Sequence, residues 1–385
     1  MRIGFDARIL TLPRCGGVTV FLRLLEHLPL LDDQLELVLF FPRPFLPEYQ
    51  RYLKHDRIVC VQVAERVSDI SRWPNRQLSP LLREQRIDIF HQPFNADGPF
   101  FCAPCPVVVT IHDLIPWVIP GIFRKAVKAL RYKVRNILWA HAAARVHTVS
   151  ETSKFDIMRL CRVPATKVLV THLGADDIYS CAIAPGEEQE ILQRYSLVGK
   201  RYVVNMGGLN QLRRNPDFII EGFARYLDRT GDDSFLVITG QVLKQDGFFD
   251  RVKAKMVKEG INDRVILTGF LSNKELKVVL SHGLVSVVTS LYEGFCLPLT
   301  ESFSCGIPTI ANHAGSIPEI AGDAAILVDP RKPDELAGHL QLLMQDENRR
   351  AVLSRQGRER VKQFRWDEMA RGVLAMYHSV GRSRA

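Results

Sequence analysis

The chain reads as an α/β protein of two doubly wound domains, and three observations point there. Short β-branched runs recur along it, continuous rather than alternating in polarity, as parallel strands covered on both faces require. Longer segments with helical spacing lie between them. A length of 385 residues exceeds what one core usually supports, so two domains of ordinary size are expected.

The first run, "MRIGFDARIL", reads as a strand and not as a charged stretch leading into an apolar one, so no signal peptide is expected. "RCGGVTVF" then places Gly16 and Gly17 at the start of a helix, and "VVVTIHDL" (107–114) is a strand that ends at His112. The pattern breaks at "YSCAIAPGEEQEILQRYSLVGK" (179–200), where Pro and Gly interrupt it and an acidic patch precedes a new strand. This puts a first domain at 1–180, a linker at 181–200 and a second domain at 201–364, with 365–385 expected as a helix that crosses back to the first. In the second half "YVVNMGGL" (202–209), "FLVITG" (235–240), "RVILTGF" (264–270), "LVSVVTS" (284–290) and "IPTIANH" (307–313) are the strands. Segments 215–228, 243–259, 333–345 and 348–363 carry helical spacing.

A formal charge of +9 and a pI near 9.2 favour an anionic partner: a nucleotide, an anionic lipid surface or nucleic acid. Nucleic acid is disfavoured, because no RRM-like aromatic pattern, zinc-finger spacing or basic aromatic stripe occurs. A nicotinamide-dependent oxidoreductase is disfavoured too, since no G-x-G-x-x-G follows a strand with an acidic residue about twenty positions on. The eight cysteines are scattered. The one close pair, Cys102 and Cys105 in "CAPC", has no second C-x-x-C and no following helix, which suits buried or loop thiols in a reducing cytoplasm.

No window approaches eighteen uncharged apolar residues, so any membrane contact is expected to be peripheral. "FRKAVKALRYKVRNILWAH" (123–141) interleaves Arg124, Lys125, Lys128, Arg131, Lys133 and Arg135 with Val127, Leu130, Val134, Ile137 and Leu138 at helical spacing. Such a helix reads as a membrane-surface element or as a core helix with a solvated basic face.

The chemistry concentrates at strand-to-helix junctions, where ligands of open α/β sheets sit against helix N-termini. "LYEGFCLPLTES" (291–302) puts Glu293 on a ligand-facing loop and Glu301 in the first turn of the next helix, with Pro298 near its start and Gly306 past its end. "MGGLNQLRRNPDF" runs from strand through Gly207 and Gly208 to a helix that Asn215 and Pro216 suit as cap and first turn. Arg213 and Arg214 precede that N-terminus, an unfavourable place for cations unless an anion lies there. In "GSIPEIAG", Ser316 and Glu319 have the spacing of a capping box. Two such junctions, one per domain, would hold a diphosphate between them.

In this setting the sequence resembles the retaining, nucleotide-sugar-dependent glycosyltransferases of family four, whose GT-B fold implies two Rossmann-like, doubly wound domains facing a central cleft. The resemblance is strongest over 200–330, through "YVVNMGGLNQLRRN", "VILTGFLS" and the E-x7-E stretch "EGFCLPLTES" followed by "CGIPTIANHAGSIPEIAG". It continues in order through "IGFDARIL", "GGV", "FHQP", "VVTIHDLIPW", "VHTVSETS" and "VTHLGAD". It implies that Glu301 binds the nucleotide ribose hydroxyls, since a carboxylate can accept two bonds from a vicinal diol. It implies that Glu293 faces the donor sugar, with the backbone of Gly294, Phe295, Cys296 and Leu297 nearby. It makes Arg213 and Arg214 the groups that neutralise the departing diphosphate, and Arg214 stands where the family usually has lysine. Gly16, Gly17 and Gly207 would let backbone approach the phosphates, and His112 would contact the sugar or reacting centre, with Asp113 orienting its loop. Gly208 departs from the arginine that many relatives carry there.

The implied activity is transfer of a hexose, mannose leading, from a nucleotide diphosphate sugar to a saccharide acceptor in lipopolysaccharide, O-antigen or other surface polysaccharide synthesis. GDP-mannose leads among donors and UDP-sugars stay open. No metal and no cofactor are expected. The acceptor is a lipid-linked polysaccharide if the basic helix binds membrane, which would put the protein in the cytoplasm at the inner face of a bacterial membrane. Same-fold rivals are a nucleotide-sugar epimerase and a glycosyl phosphorylase, which product analysis separates from a transferase.

Overall fold

The structure, a computed structural model, describes residues 1–13, 15–63, 75–95, 103–123, 125–209, 211–241 and 247–382. Cys102 and Arg124 lie outside the described residues. Contacts divide the chain into two units, Met1–Gly174 with Arg365–Ala385, and Ala175–Phe364.

The first unit holds a sheet of seven strands among the described residues: β1 (Arg2–Asp6), β2 (Glu36–Phe41), β3 (Ile58–Gln62), β4 (Ile89–Gln92), β5 (Val107–Thr110), β6 (Arg145–Thr148) and β7 (Val168–Val170). All pair in parallel, in the order β3-β2-β1-β4-β5-β6-β7. The valine run of β5 is buried along its whole length, as the continuous apolar pattern requires. Strand order reverses between β1 and β4, which places the ligand crevice of this unit beyond the carboxyl ends of those strands.

The terminal helix Trp366–Arg382 packs on helix Gly16–Leu31 within this unit and reaches the sheet through a buried polar chain. Tyr377 Oη lies 2.5 Å from His91 Nδ1, and His91 Nε2 lies 2.8 Å from Thr110 Oγ1. Thr110 Oγ1 is 2.9 Å from His147 Nδ1, and His147 Nε2 is 2.6 Å from Thr171 Oγ1. Each neutral imidazole can donate from one nitrogen and accept at the other, so the chain can be satisfied with both histidines uncharged.

The second unit has six parallel strands among its described residues: β8 (Tyr202–Met206), β9 (Phe235–Thr239), β10 (Val265–Gly269), β11 (Val285–Val288), β12 (Thr309–Asn312) and β13 (Ile326–Val328). Their order is β10-β9-β8-β11-β12-β13, so this switch point lies between β8 and β11. Helices Pro216–Thr230 and Pro333–Gln345 bury Phe218, Ile219, Phe223, Leu336 and Leu340 against one face of the sheet. Helix Phe248–Lys258 is shorter than the 243–259 expected, and residues 242–246 lie outside the described set.

The stretch 181–200 is not a plain linker. It forms helix Pro185–Arg194, whose Ile191 and Leu192 join Tyr202 and Val204 in a core of the second unit. The acidic patch that suggested a break is its first turn: Glu187 and Glu188 sit where anions offset the dipole, with proline at the start.

Candidate active site

In the second unit the switch point collects most of the expected residues. The loop leaving β8 runs through Gly207 at φ +147° and Gly208 at φ +68°. A Cβ on Gly207 would lie 2.9 Å from Arg214 Cδ, so the glycine makes room for that side chain to cross the loop. A Cβ on Gly208 would lie 2.4 Å from the Gln241 carbonyl oxygen. A side chain at this position therefore has no room in this loop.

A short turn, Leu212–Arg214, then delivers both arginines ahead of helix Pro216–Thr230. Asn215 occupies the cap position as expected but does not cap. It is left-handed, at φ +50°, and its amide donates to the Pro330 carbonyl at 3.3 Å.

The anion that the two arginines require is Glu293. Arg213 Nη1 donates to Glu293 Oε2 at 2.9 Å, Arg214 Nη1 donates to Glu293 Oε1, and Ser290 Oγ donates to the same oxygen at 2.7 Å. Glu293 is buried, and burial pushes its carboxyl upward, but Arg214 and then Arg213 outweigh that and hold it below the ordinary range. The backbone is pinned as well. Ser316 Oγ donates to the Glu293 carbonyl at 3.0 Å, and a Cβ on Gly315 would lie 2.9 Å from the Glu293 nitrogen. Ser316 is therefore not half of a capping box: it starts helix Ile317–Ala321 with its hydroxyl spent on the glutamate loop.

From Glu293 the chain passes buried Phe295, whose ring meets Phe364 edge-on at 5.5 Å, to Cys296 at φ +82°. A non-glycine residue in that region is strained by about 1 kcal/mol or more. It turns the chain into helix Leu297–Cys305, with Pro298 in the first turn and Gly306 at the end, as expected. Glu301 is one turn deeper than the sequence suggested, beyond the reach of the dipole argument. Its carboxylate accepts from Tyr179 Oη at 3.2 Å. Burial, then Glu301, push the tyrosine's pKa upward, so the hydroxyl keeps its proton and stays a donor.

Gly16, Gly17 and His112 lie on the first unit. Gly16 opens helix Gly16–Leu31, and a Cβ on Gly17 would lie 3.7 Å from His112 Nε2, so glycine and histidine are neighbours. The His112 backbone N–H donates to Asn95 Oδ1 at 2.8 Å, and Ser153 Oγ donates to its carbonyl at 3.0 Å. With Nε2 3.1 Å from the Pro93 carbonyl, that nitrogen carries the proton and Nδ1 is left as an acceptor. Burial lowers the His112 pKa to about 4, the Pro93 contact opposing, so the ring is neutral at pH 7. Asp113 orients the loop as expected, its Oδ1 accepting from the Ile115 N–H at 3.0 Å. At the end of β1, Arg8 and Asp6 form a buried two-point ion pair, with Nε and Oδ1 2.9 Å apart.

Local pattern assigned no role to Tyr179, Ser290, Asn95 or the Asp6–Arg8 pair, and a different one to Ser316. Ser290 was findable, three residues before Glu293. Tyr179 and Asn95 act on partners 122 and 17 positions away, so local pattern does not mark them. Among the described residues no three His, Cys, Asp or Glu side chains gather as a metal ligand set.

Two parallel sheets, each with a reversal of strand order, are the architecture of the GT-B fold. The Glycosyltransferase Family 4 model matches residues 15–178 and the Glycosyl transferases group 1 model matches residues 187–360. The chain belongs to the family-four glycosyltransferases. It is 26% identical over 392 residues to O-antigen chain mannosyltransferase B of Escherichia coli, covering 98% of this chain and 99% of that one. It is 38% identical over 128 residues to an MMP alpha-(1->4)-mannosyltransferase of Mycolicibacterium hassiacum, covering 32% and 31%. Anabaena HepE, solved in complex with UDP and glucose, superposes with a TM-score of 0.76 at 16% identity over 98% of this chain and 100% of that one. No helix among the described residues is long and apolar enough to cross a membrane.

Proposed function

We propose that this glycosyltransferase moves mannose from GDP-mannose to a saccharide acceptor with retention at the anomeric carbon, without metal or cofactor, in O-antigen or other surface polysaccharide synthesis. The observation that carries the reading is the pair of guanidiniums closed on Glu293 at the second switch point. Mannose is supported by the two mannosyltransferases it resembles, one of which it matches along its length.

In this reading the donor diphosphate takes the place of the Glu293 carboxylate on Arg213 and Arg214, and Glu293, released, turns to the sugar hydroxyls. Two fixed cations then meet the charge that grows on the leaving phosphate, the task a metal performs elsewhere. Glu301, held by Tyr179, receives the ribose hydroxyls. Gly16, Gly17 and Gly207 admit backbone to the phosphates, and Gly294, Phe295, Cys296 and Leu297 line the turn beside the sugar. Neutral His112 offers an acceptor nitrogen to a sugar hydroxyl. No enzymatic nucleophile is needed: the leaving phosphate oxygen takes the acceptor hydroxyl's proton as the new bond forms on the face being vacated. The acceptor is lipid-linked and is met at the inner face of the cell membrane.

A thermal-shift panel of GDP-, UDP-, ADP- and dTDP-sugars, followed by NMR of the product's anomeric proton, tests the proposal. Stabilisation by GDP-mannose and an α-linked product from the α-linked donor are expected. Preference for a UDP-sugar would replace the donor, and an inverted, isomerised or phosphorylated product would overturn the reaction.

A further inference from the structure

We propose that the outward face of helix Ala126–Ala142 inserts into an anionic lipid surface. Val127, Leu130, Val134 and Leu138 are 78%, 62%, 45% and 46% exposed. At 3.6 residues per turn they fall within about 80° of arc, along a line of about 16 Å. Asn136, Trp139 and Ala140 are the buried residues of this helix, and they lie on the opposite side. The apolar spacing that allowed a core helix is thus two stripes, and the more aliphatic one faces out. The other exposed large apolar side chains are scattered one to an element, which is ordinary for a protein surface.

The charge around the stripe has one sign. Lys125, Lys128 and Arg131 are exposed, and none is in an ion pair among the described residues. The sequence holds no carboxylate between Asp113 and Glu151. Lys133, on the other flank, lies 5.5 Å from the centre of the Trp117 ring. A protein partner would have to match this row with carboxylates at fixed points. An anionic bilayer offers charge everywhere and an apolar layer just beneath, and a straight aliphatic line parallel to the axis is the shape that lies in such an interface.

This deepens the membrane side of the function proposed above, and its test needs no donor sugar, so either can fail alone. The full chain is sedimented with vesicles of phosphatidylcholine alone, or of equal parts phosphatidylcholine and phosphatidylglycerol, at low and high salt. Binding to the anionic vesicles is expected, with a part that persists in high salt because apolar insertion is not screened. Leu130→Ser with Val134→Ser should reduce the persistent part about tenfold or more. Lys125→Glu, Lys128→Glu and Arg131→Glu together should reduce the low-salt part by at least about tenfold. Equal binding to neutral vesicles, or unchanged binding by both variants, overturns the proposal. A concentration-dependent dimer in sedimentation velocity that Leu130→Ser abolishes also overturns it, and makes this face a contact between copies.

Discussion

Replacing Glu293 by glutamine removes one negative charge from between two guanidiniums and leaves the volume nearly unchanged. The side chains of Arg213 and Arg214 are 19% and 18% exposed, so water replaces the lost partner only in part. A charge pair about 4 Å apart in an effective dielectric of about 20 is worth about 4 kcal/mol before desolvation, and returning a buried carboxylate to neutrality recovers some of that. The carboxamide keeps one acceptor oxygen, so a net loss of about 2 to 3 kcal/mol is expected, a fall of about 5 to 10 °C in the second unit's melting transition. The loss should shrink in acid. Glu293 has a lowered pKa, so its contribution is present above the unfolded carboxyl's titration near 4.3 and disappears as pH falls through the folded value.

The sharper outcome concerns ligand. If Glu293 occupies the place of the donor diphosphate, Glu293→Gln removes a competitor, and GDP should bind about tenfold tighter in calorimetry, a gain of about 1.4 kcal/mol. Transfer should fall on the order of a hundredfold, because the same carboxylate is then missing from the sugar. Opposite movement of affinity and turnover is the signature. A GDP affinity that falls together with turnover would refute the reasoning, since Glu293 would then be holding the arginines in place for phosphate and not competing with it.

Three further outcomes are expected. Tyr179→Phe removes the bond to Glu301 and should weaken nucleotide-sugar binding about three- to tenfold with kcat nearly unchanged; a kcat loss larger than the KM change would place the tyrosine elsewhere in the reaction. Transfer should survive EDTA, and loss on chelation with recovery on Mg²⁺ or Mn²⁺ would contradict the role given to the arginines. Burial and the neighbouring His112 lower the His147 pKa to about 3, so the folded state refuses a proton that the unfolded chain accepts near 6.5. Stability is complete above pH 6.5 and should be lower at pH 5 by about 2 kcal/mol from this residue, with His91 adding in the same direction; a first-unit melting point that stays flat from pH 7 to 5 would count against the buried chain.

Features governed by short sequence distance were legible. Helix Pro333–Gln345 has the expected bounds, and strands β8, β9, β11 and β12 fall inside the runs assigned to them, because a strand buried on both faces leaves a continuous apolar signature. The requirement for an anion at Arg213 and Arg214 was legible for the same reason, since a helix N-terminus repels cations wherever it is placed. The identity of that anion was not, because Glu293 lies 80 residues from Arg213 and only the switch point joins them.

The misses share one cause, a local partner outbid by a distant one. Ser316 and Glu319 have capping-box spacing, but the serine hydroxyl goes to the Glu293 carbonyl 23 positions away. Asn215 is a good cap by residue type, yet its amide serves the Pro330 carbonyl 115 positions away, while its tolerance of left-handed backbone is what the site uses. The Ala126–Ala142 helix makes the same point for burial. Its periodicity defines stripes but not their direction, and the stripe that goes inward carries Asn136 and Trp139 while aliphatic Val127, Leu130, Val134 and Leu138 remain outside. A helix that buries an asparagine and exposes four aliphatics does not turn its aliphatic face to the chain's own core.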